Sequence, residues 1–263
     1  EIGIFYTLQT YANQLLLNIT NSAITKVLLK YSSISKLFIE YFHIKFNPNI
    51  KNKSLTKTFE NIVDEIKDVQ DITEDKILNL FLDILVAITR TNFYIVDDLF
   101  VSNALSIKVD VTKLSVHLKG VQPRIETFVY NNAFMGTHMR RTKVSRGGLR
   151  WSDREIDYRN EIKSLMQAQR SKNSVIIPEG AKGGFYIKES NVSEKRFTEI
   201  YSIFINALLD VVDNYIGGKI IKNDKIVSYD NDDPYFVVAA DKGTSNMSDV
   251  ANAISIKRNY WLG

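Results

Sequence analysis

The 263-residue chain is 44% hydrophobic and 24% charged, the composition of a globular protein with room for one large or two modest domains, so disorder is not its default. It contains no cysteine, which excludes disulfides, thiolate-held zinc and thiol catalysis and suits a reducing cytoplasm. The formal charge of +4 is unevenly spread: residues 140–172 hold ten Lys and Arg against four Asp and Glu, a local +6 that leaves −2 elsewhere. Such a segment points to an anionic partner or to a solvated helix face.

The opening EIGIFYTLQT has neither a basic leader nor a small-residue cleavage site, and it begins at Glu1, as a fragment or a processed product would. Residues 1–95 read as helical. In SISKLFIEYFHIKF the apolar residues recur at helical spacing, and the polar NPNIKNKS breaks the pattern. DITEDKILNLFLDILVAITRTN is the clearest helix, with Asp71 as its cap, Glu74 three residues on, and a stripe of Ile77, Leu78, Phe81, Leu85 and Ile88. Its apolar run is interrupted by Asp83 and is too short to span a bilayer, so no membrane partner is expected. Stripes of this kind usually mean core, which makes this half a packing module.

After residue 95 the texture changes. LSIKVDV, RIETFVYN and FMGTHMRR read as strands. SDREIDYRNEIKSLMQAQRSKN reads as a helix opened by a Ser152-x-x-Glu155 capping box, followed by a strand at SVIIP, a glycine loop and a strand at GFYIK. A further amphipathic helix is expected from about Ser193 to Tyr215, with Phe197, Ile200, Tyr201, Phe204, Leu208 and Val212 on one face. YFVVAADKGTSNMSDVANAIS gives a strand, a loop and a helix start, and YDNDDPY reads as a local acidic turn. The predicted class is α+β or α/β: a helical segment over 1–95, then a mixed-sheet domain over 96–263.

Three places could carry chemistry. The stripe of the helix at 153–173 runs Tyr158, Ile162, Leu165 and Met166, then continues into Gln169 and Lys172. Polar groups on an inward face need partners, although a lysine in a last turn also complements the helix dipole. Lys182 sits among three glycines in EGAKGG, where backbone can come close to a ligand; a phosphate grip or an exposed turn would use the same residues. Cations nearby, with Arg146 and Lys172 as candidates, would lower its pKa toward the range useful for a base. Asp241 ends an apolar strand before a helix, a usual position for reactive groups in α/β proteins, or simply for a turn with Ser245 capping the helix. His43, His117 and His138 show no metal-ligand spacing, so no metal is expected, and neither GxxxxGK[ST] nor GxSxG occurs. The one RGG copy lies inside an ordered pattern, which argues against a nucleic-acid partner.

Taken together, VSRGGLRWSDREIDYRNEIKSLMQAQRSKNSVIIPEGAKGGF strongly resembles the catalytic region of the large NAD-specific glutamate dehydrogenases of bacteria. DDPYFVVAADKGTSNMSDVANAIS resembles the next block, and RTNFY and ETFVY fit as well. The resemblance implies an oxidoreductase that deaminates L-glutamate to 2-oxoglutarate and ammonia with NAD. It implies that Lys182 is the catalytic lysine that promotes water attack on the iminium and that Asp241 relays protons. Arg146 and Gly147 with Gln169 and Lys172 would hold the substrate, Lys172 at the α-carboxylate. Arg146 stands where smaller relatives carry lysine at the distal carboxylate, a group that arginine can grip with two bonds. The +6 segment is then a substrate cradle.

No GxGxxG lies between a strand and a helix, and in the resembled family a nucleotide-binding domain follows the substrate domain. The expectation is a fragment whose nucleotide domain would follow residue 263, with NAD held mainly by a separate chain or domain and no turnover without it. Two alternatives stay open: a decayed remnant, and a non-catalytic module that binds anions or nucleic acid. The oligomeric state is left open.

Overall fold

Apolar residues at helical spacing, with a polar cap before most runs, make the first five elements helices. In the computed structural model they are α1 (Ile2–Leu15), α2 (Asn21–Lys30), α3 (Ser32–Phe46), α4 (Leu55–Lys67) and α5 (Ile72–Ala87). The caps are local: Thr20, Ser54 and Asp71 each accept backbone N–H bonds from the first turn of the helix they precede. The structure describes residues 1–16, 18–50, 54–98, 100, 102–115, 120–173 and 180–263, with the side chains of residues 169–173 left out.

The helix expected to run through Ile88 stops at Ala87, and Ile88–Thr91 is strand β1 instead. Arg90 pairs with Lys108 on β2 (Leu105–Asp110), so the chain enters the sheet before residue 95. β3 (Ile125–Tyr130) and β4 (Phe134–Arg140) follow as antiparallel neighbours, then β5 (Gly147–Ser152). α6 (Tyr158–Asn173) crosses over to β6 (Ala181–Ile187), and α7 (Glu194–Asp210) leads to the β7 (Asn214–Ile216) and β8 (Lys219–Ile221) hairpin. β9 (Val238–Ala240) and α8 (Ser248–Lys257) complete the order. The seven-stranded sheet runs β1-β2-β3-β4-β6-β5-β9, antiparallel as far as β6 and parallel from β6 to β9. This is the expected helical start followed by a mixed α/β sheet.

Each face of the sheet has its own core. A Cβ added to Gly184 would meet Ile162 of α6, and one added to Gly136 would meet Phe204 of α7, so these helices cover opposite faces. The α6 face shares its apolar core with α1–α5, while the other face packs against α7 and α8. Each face also buries charge. On the α6 face Arg159 forks onto Glu126, which accepts from Tyr11 and Thr137 as well. On the α7 face Arg90, Lys108 and Arg140 meet Asp213, Asp230 and Asp233. Asp230 and Asp233 come from the expected acidic turn, which therefore latches onto the sheet through a buried Asp233 and a partly exposed Asp230.

Several local expectations give way. α6 begins at Tyr158 rather than beside Ser152, because Ser152 still pairs with Tyr186 across the sheet; its hydroxyl donates to Glu161. α7 ends at Asp210, leaving Val212 outside the helix. Ser245 bonds Asn246, and α8 starts behind Met247 with no side-chain cap. SVIIP lies outside the described residues.

Candidate active site

The GAKGG stretch is not a loop. Lys182, Gly183 and Gly184 run in regular strand β6, and none of the three glycines has positive φ. Their use is close approach. A Cβ on Gly183 would fall 2.3 Å from Leu149, and one on Gly184 would fall 2.3 Å from Ile162. Bare backbone therefore lets β6 sit tightly between β5 and α6.

Leu149 faces Gly183 across β5–β6, and Gly148 faces Ala239 across β5–β9, so Gly148 lies between Lys182 and the end of β9. Lys182, only 5% exposed, sends its ammonium over Gly148 to donate to Asp241 Oδ2. A Cβ on Gly148 would stand 3.0 Å from Asp241 Cβ and from the Ala240 carbonyl oxygen. The missing side chain is thus the opening through which the two groups meet. Gly147 is tighter still: a Cβ there would lie 1.6 Å from the Ala181 carbonyl oxygen.

Asp241 is fixed at every atom that can bond. Its N–H donates to Thr244 Oγ1 at 3.0 Å, and that hydroxyl donates to the Leu149 carbonyl at 2.6 Å. Its Oδ1 accepts the Lys242 N–H at 2.7 Å, and Gly243 turns the chain with φ +80° against Trp151. Burial pushes the Asp241 carboxyl up, but the bonds from Lys182 and the Lys242 N–H, with Arg150 nearby, outweigh it. The carboxyl is held below its ordinary range.

Arg150, which sequence reasoning missed, lies beside this pair. Its Nε is 3.6 Å from Asp241 Oδ2, and its Nη1 is 3.1 Å from Glu161 Oε1 on α6. Ser152 Oγ donates to Glu161 Oε2 at 2.6 Å. The period-two alternation Gly148, Arg150, Ser152 in GGLRWS was the available signal, since alternate strand residues share a face.

Of the six residues expected from the sequence, Lys182 and Asp241 are brought together, and Gly147 sits beside them at the start of β5. Arg146, one residue earlier, is exposed and shares no ion pair or hydrogen bond with Lys182 or Asp241 among the described residues. Gln169 and Lys172 lie on α6, but their side chains are outside the described residues. The described charged partner of Lys182 is therefore the Asp241 carboxylate; of the two expected cations, Arg146 does not pair with it and the Lys172 side chain lies outside the described residues. Much of the +6 segment is also committed internally: Arg140 to Asp233, Arg150 to Glu161, Arg154 to Asp157 and Arg159 to Glu126.

A buried lysine hydrogen-bonded to a fixed, ionised carboxylate can exchange a proton with a reacting group beside it. Among the described residues no helix is long and apolar enough to cross a membrane. The profile of the bacterial NAD-glutamate dehydrogenase catalytic domain matches residues 61–263, and that of glutamate dehydrogenase helical motif 3 matches residues 1–48. The NAD-specific glutamate dehydrogenases of Halomonas elongata and Pseudomonas aeruginosa are 35% and 37% identical to the chain over its whole length. That of Mycobacterium tuberculosis is 34% identical over 93% of the chain. The chain spans 16–17% of the length of these relatives. On this evidence the chain belongs to the bacterial NAD-specific glutamate dehydrogenase family, within the region that holds its catalytic domain.

Proposed function

We propose that this chain supplies the substrate side of oxidative deamination of L-glutamate to 2-oxoglutarate and ammonia. The observation that carries the reading is the Lys182–Asp241 pair bonded across Gly148. Lys182 acts as the base that draws a proton from the water attacking the iminium carbon, and Asp241 takes up and returns protons beside it. Arg146 and Gly147 receive the distal carboxylate at the start of β5. Lys172, assisted by Gln169 one turn earlier on α6, receives the α-carboxylate. Residues 96–263, with β1 at the edge of their sheet, form the substrate-binding unit, and the helices before them brace it.

The strand-to-helix turns after β5, β6 and β9 carry Gly243 as their one glycine and no run shaped to cradle a pyrophosphate. These residues do not fit NAD. The cofactor in the relatives' names is proposed to be held by a separate nucleotide-binding chain or segment, and the chain alone is expected not to turn over. The setting is cytoplasmic, which a cysteine-free sequence suits. The internal pairing of the basic segment disfavours a nucleic-acid module, which needs free cations for phosphates.

Calorimetric titration of the chain with 2-oxoglutarate tests the substrate reading. Binding near a millimolar Kd, about 4 kcal/mol, that Lys172→Ala abolishes would support it. A folded chain that takes up no 2-oxoglutarate at tens of millimolar would overturn it. Reduction of NAD by the isolated chain with glutamate would overturn the division of labour.

A further inference from the structure

Arg150 carries a donor that its described contacts leave unused. Its Nε–H is buried and has no hydrogen-bond acceptor among the described residues. The nearest carboxylate oxygen, Asp241 Oδ2, is 3.6 Å away, just beyond bonding distance. That same oxygen already accepts from Lys182. A buried N–H without an acceptor is costly, so an orphan donor beside an occupied acceptor needs an explanation.

One end of the guanidinium is tied to α6. Nη1 meets Glu161 Oε1 at 3.1 Å, and Glu161 is itself fixed through Oε2 by the Ser152 hydroxyl. Glu161 thus tethers Arg150 beside Asp241, and a shift of under an ångström by Asp241 would complete the second bond. We propose that Arg150 is a positioning residue that acts as the reserve counter-cation of Asp241. While Lys182 holds the carboxylate, Arg150 waits; when Lys182 turns to substrate or gives up its proton, Asp241 Oδ2 moves onto Arg150 Nε and stays ionised.

The role rests on the proposed reaction, because a lysine that never lost its proton would need no reserve. It also explains the composition of the site. Among the described residues, Lys182 from β6, Arg150 from β5 and the Lys242 N–H after β9 face Asp241, while Glu161 from α6 pairs with Arg150, accepts from Ser152 and lies near Arg154. With one cation, deprotonation of Lys182 would leave Asp241 half-buried without a counter-charge. With two, the carboxylate keeps one partner throughout the cycle, and Glu161 ties that partner to the helix that carries Gln169 and Lys172.

Carbon-13 titration of the Asp241 carboxyl in the full chain tests this in Lys182→Met, which mimics the state in which lysine has let go. Asp241 is expected to keep a midpoint below its ordinary value in Lys182→Met. The midpoint should rise by about one unit when Arg150→Gln is added, and Arg150→Lys should restore most of the depression. A role in packing alone would not follow charge in this way. Should Arg150→Gln fail to fold in that background, Glu161→Gln gives the second reading: releasing the guanidinium should lower the Asp241 midpoint further. Midpoints that ignore Arg150→Gln in folded protein, or ignore Glu161→Gln where that variant is used, overturn the proposal. Titrating 2-oxoglutarate into the unsubstituted chain separates the two readings. Midpoints that move without binding leave the coupling standing and remove the substrate; binding without movement does the reverse.

Discussion

Lys182 on β6 and Asp241, the residue just after β9, lie on either side of β5 and bond over its Gly148. Two parallel strands and the end of a third thus form a single row: a lysine, an absent side chain and a carboxylate. The reach of a lysine suits this geometry, since its flexible stem carries the charge past one strand spacing of about 4.8 Å to the next.

Gly148→Ala is the sharpest probe of that row. Its Cβ would press on Asp241 Cβ and the Ala240 carbonyl at 3.0 Å, a contact relieved by moving Asp241 away from Lys182. The expected result is a loss of about 1 kcal/mol of stability with a disproportionate loss of 2-oxoglutarate binding, roughly tenfold. Gly147→Ala should behave differently. A Cβ 1.6 Å from the Ala181 carbonyl oxygen cannot be absorbed without parting β5 from β6, so destabilisation of about 3 kcal/mol or more is expected. Urea unfolding beside calorimetry separates the two; equal stability losses would contradict the assignment.

The buried latch predicts a strong response to loss of one partner. Arg90 grips Asp213 at 2.6 and 3.0 Å and Asp230 at 2.6 Å, with Arg90 and Asp213 buried and Asp230 partly exposed. Asp213→Ala leaves the guanidinium with half its counter-charge, and a loss of about 3–5 kcal/mol is expected by denaturant unfolding at neutral pH. Retention of nearly full stability would mean that the latch contributes little.

The same cluster sets the acid limit. Burial pushes the Asp233 carboxyl up, but Arg140 and Lys108 outweigh it and hold the group far below its usual range. A carboxyl depressed on folding contributes stability that is present above the unfolded value of about 4 and lost as pH falls toward the folded one. Unfolding midpoints should therefore drop steeply below about pH 4. Asp233→Asn should be less stable at neutral pH yet show a flatter acid limb. An unchanged slope would assign acid sensitivity elsewhere.

What the sequence revealed and what it hid follow from how local each cause is. The start of α5 was legible because its cap, Asp71, and the N–H groups it accepts lie within three residues. The start of α6 was not. Ser152 and Glu155 have capping-box spacing, but sheet pairing with Tyr186 keeps Ser152 extended, and tertiary pairing outweighs a local motif. The glycines around Lys182 looked like a turn because glycine serves both positive φ and close packing, and only the strand neighbours Leu149 and Ile162 show which applies. Lys182 and Asp241, which the motif blocks single out, come together because β6 and the end of β9 flank β5. Arg150 was missed because its partners, Asp241 and Glu161, become neighbours only when β5, β9 and α6 assemble.

Lys45 gives the last prediction, in the opposite pH direction. Its ammonium, 5% exposed, donates to the Leu85 and Val86 carbonyls at 2.8 Å, closing the C-terminal end of α5. The rings of Phe46 and Tyr229 stand 5.2 and 5.1 Å away, and no carboxylate is paired with it among the described residues. Burial, aided by Lys113, lowers its pKa to about 7. The unfolded chain, with an ordinary lysine near 10.4, then binds more protons than the folded one between about pH 7 and 10. Stability from this residue should rise with pH across that window, by at most about 1.4 kcal/mol per unit. Lys45→Met removes the titrating group and should remove that rise, while losing the two bonds to α5. Urea midpoints of both proteins at pH 7, 8 and 9 decide it: parallel curves would mean that Lys45 is charged throughout and that its carbonyl bonds overcome burial.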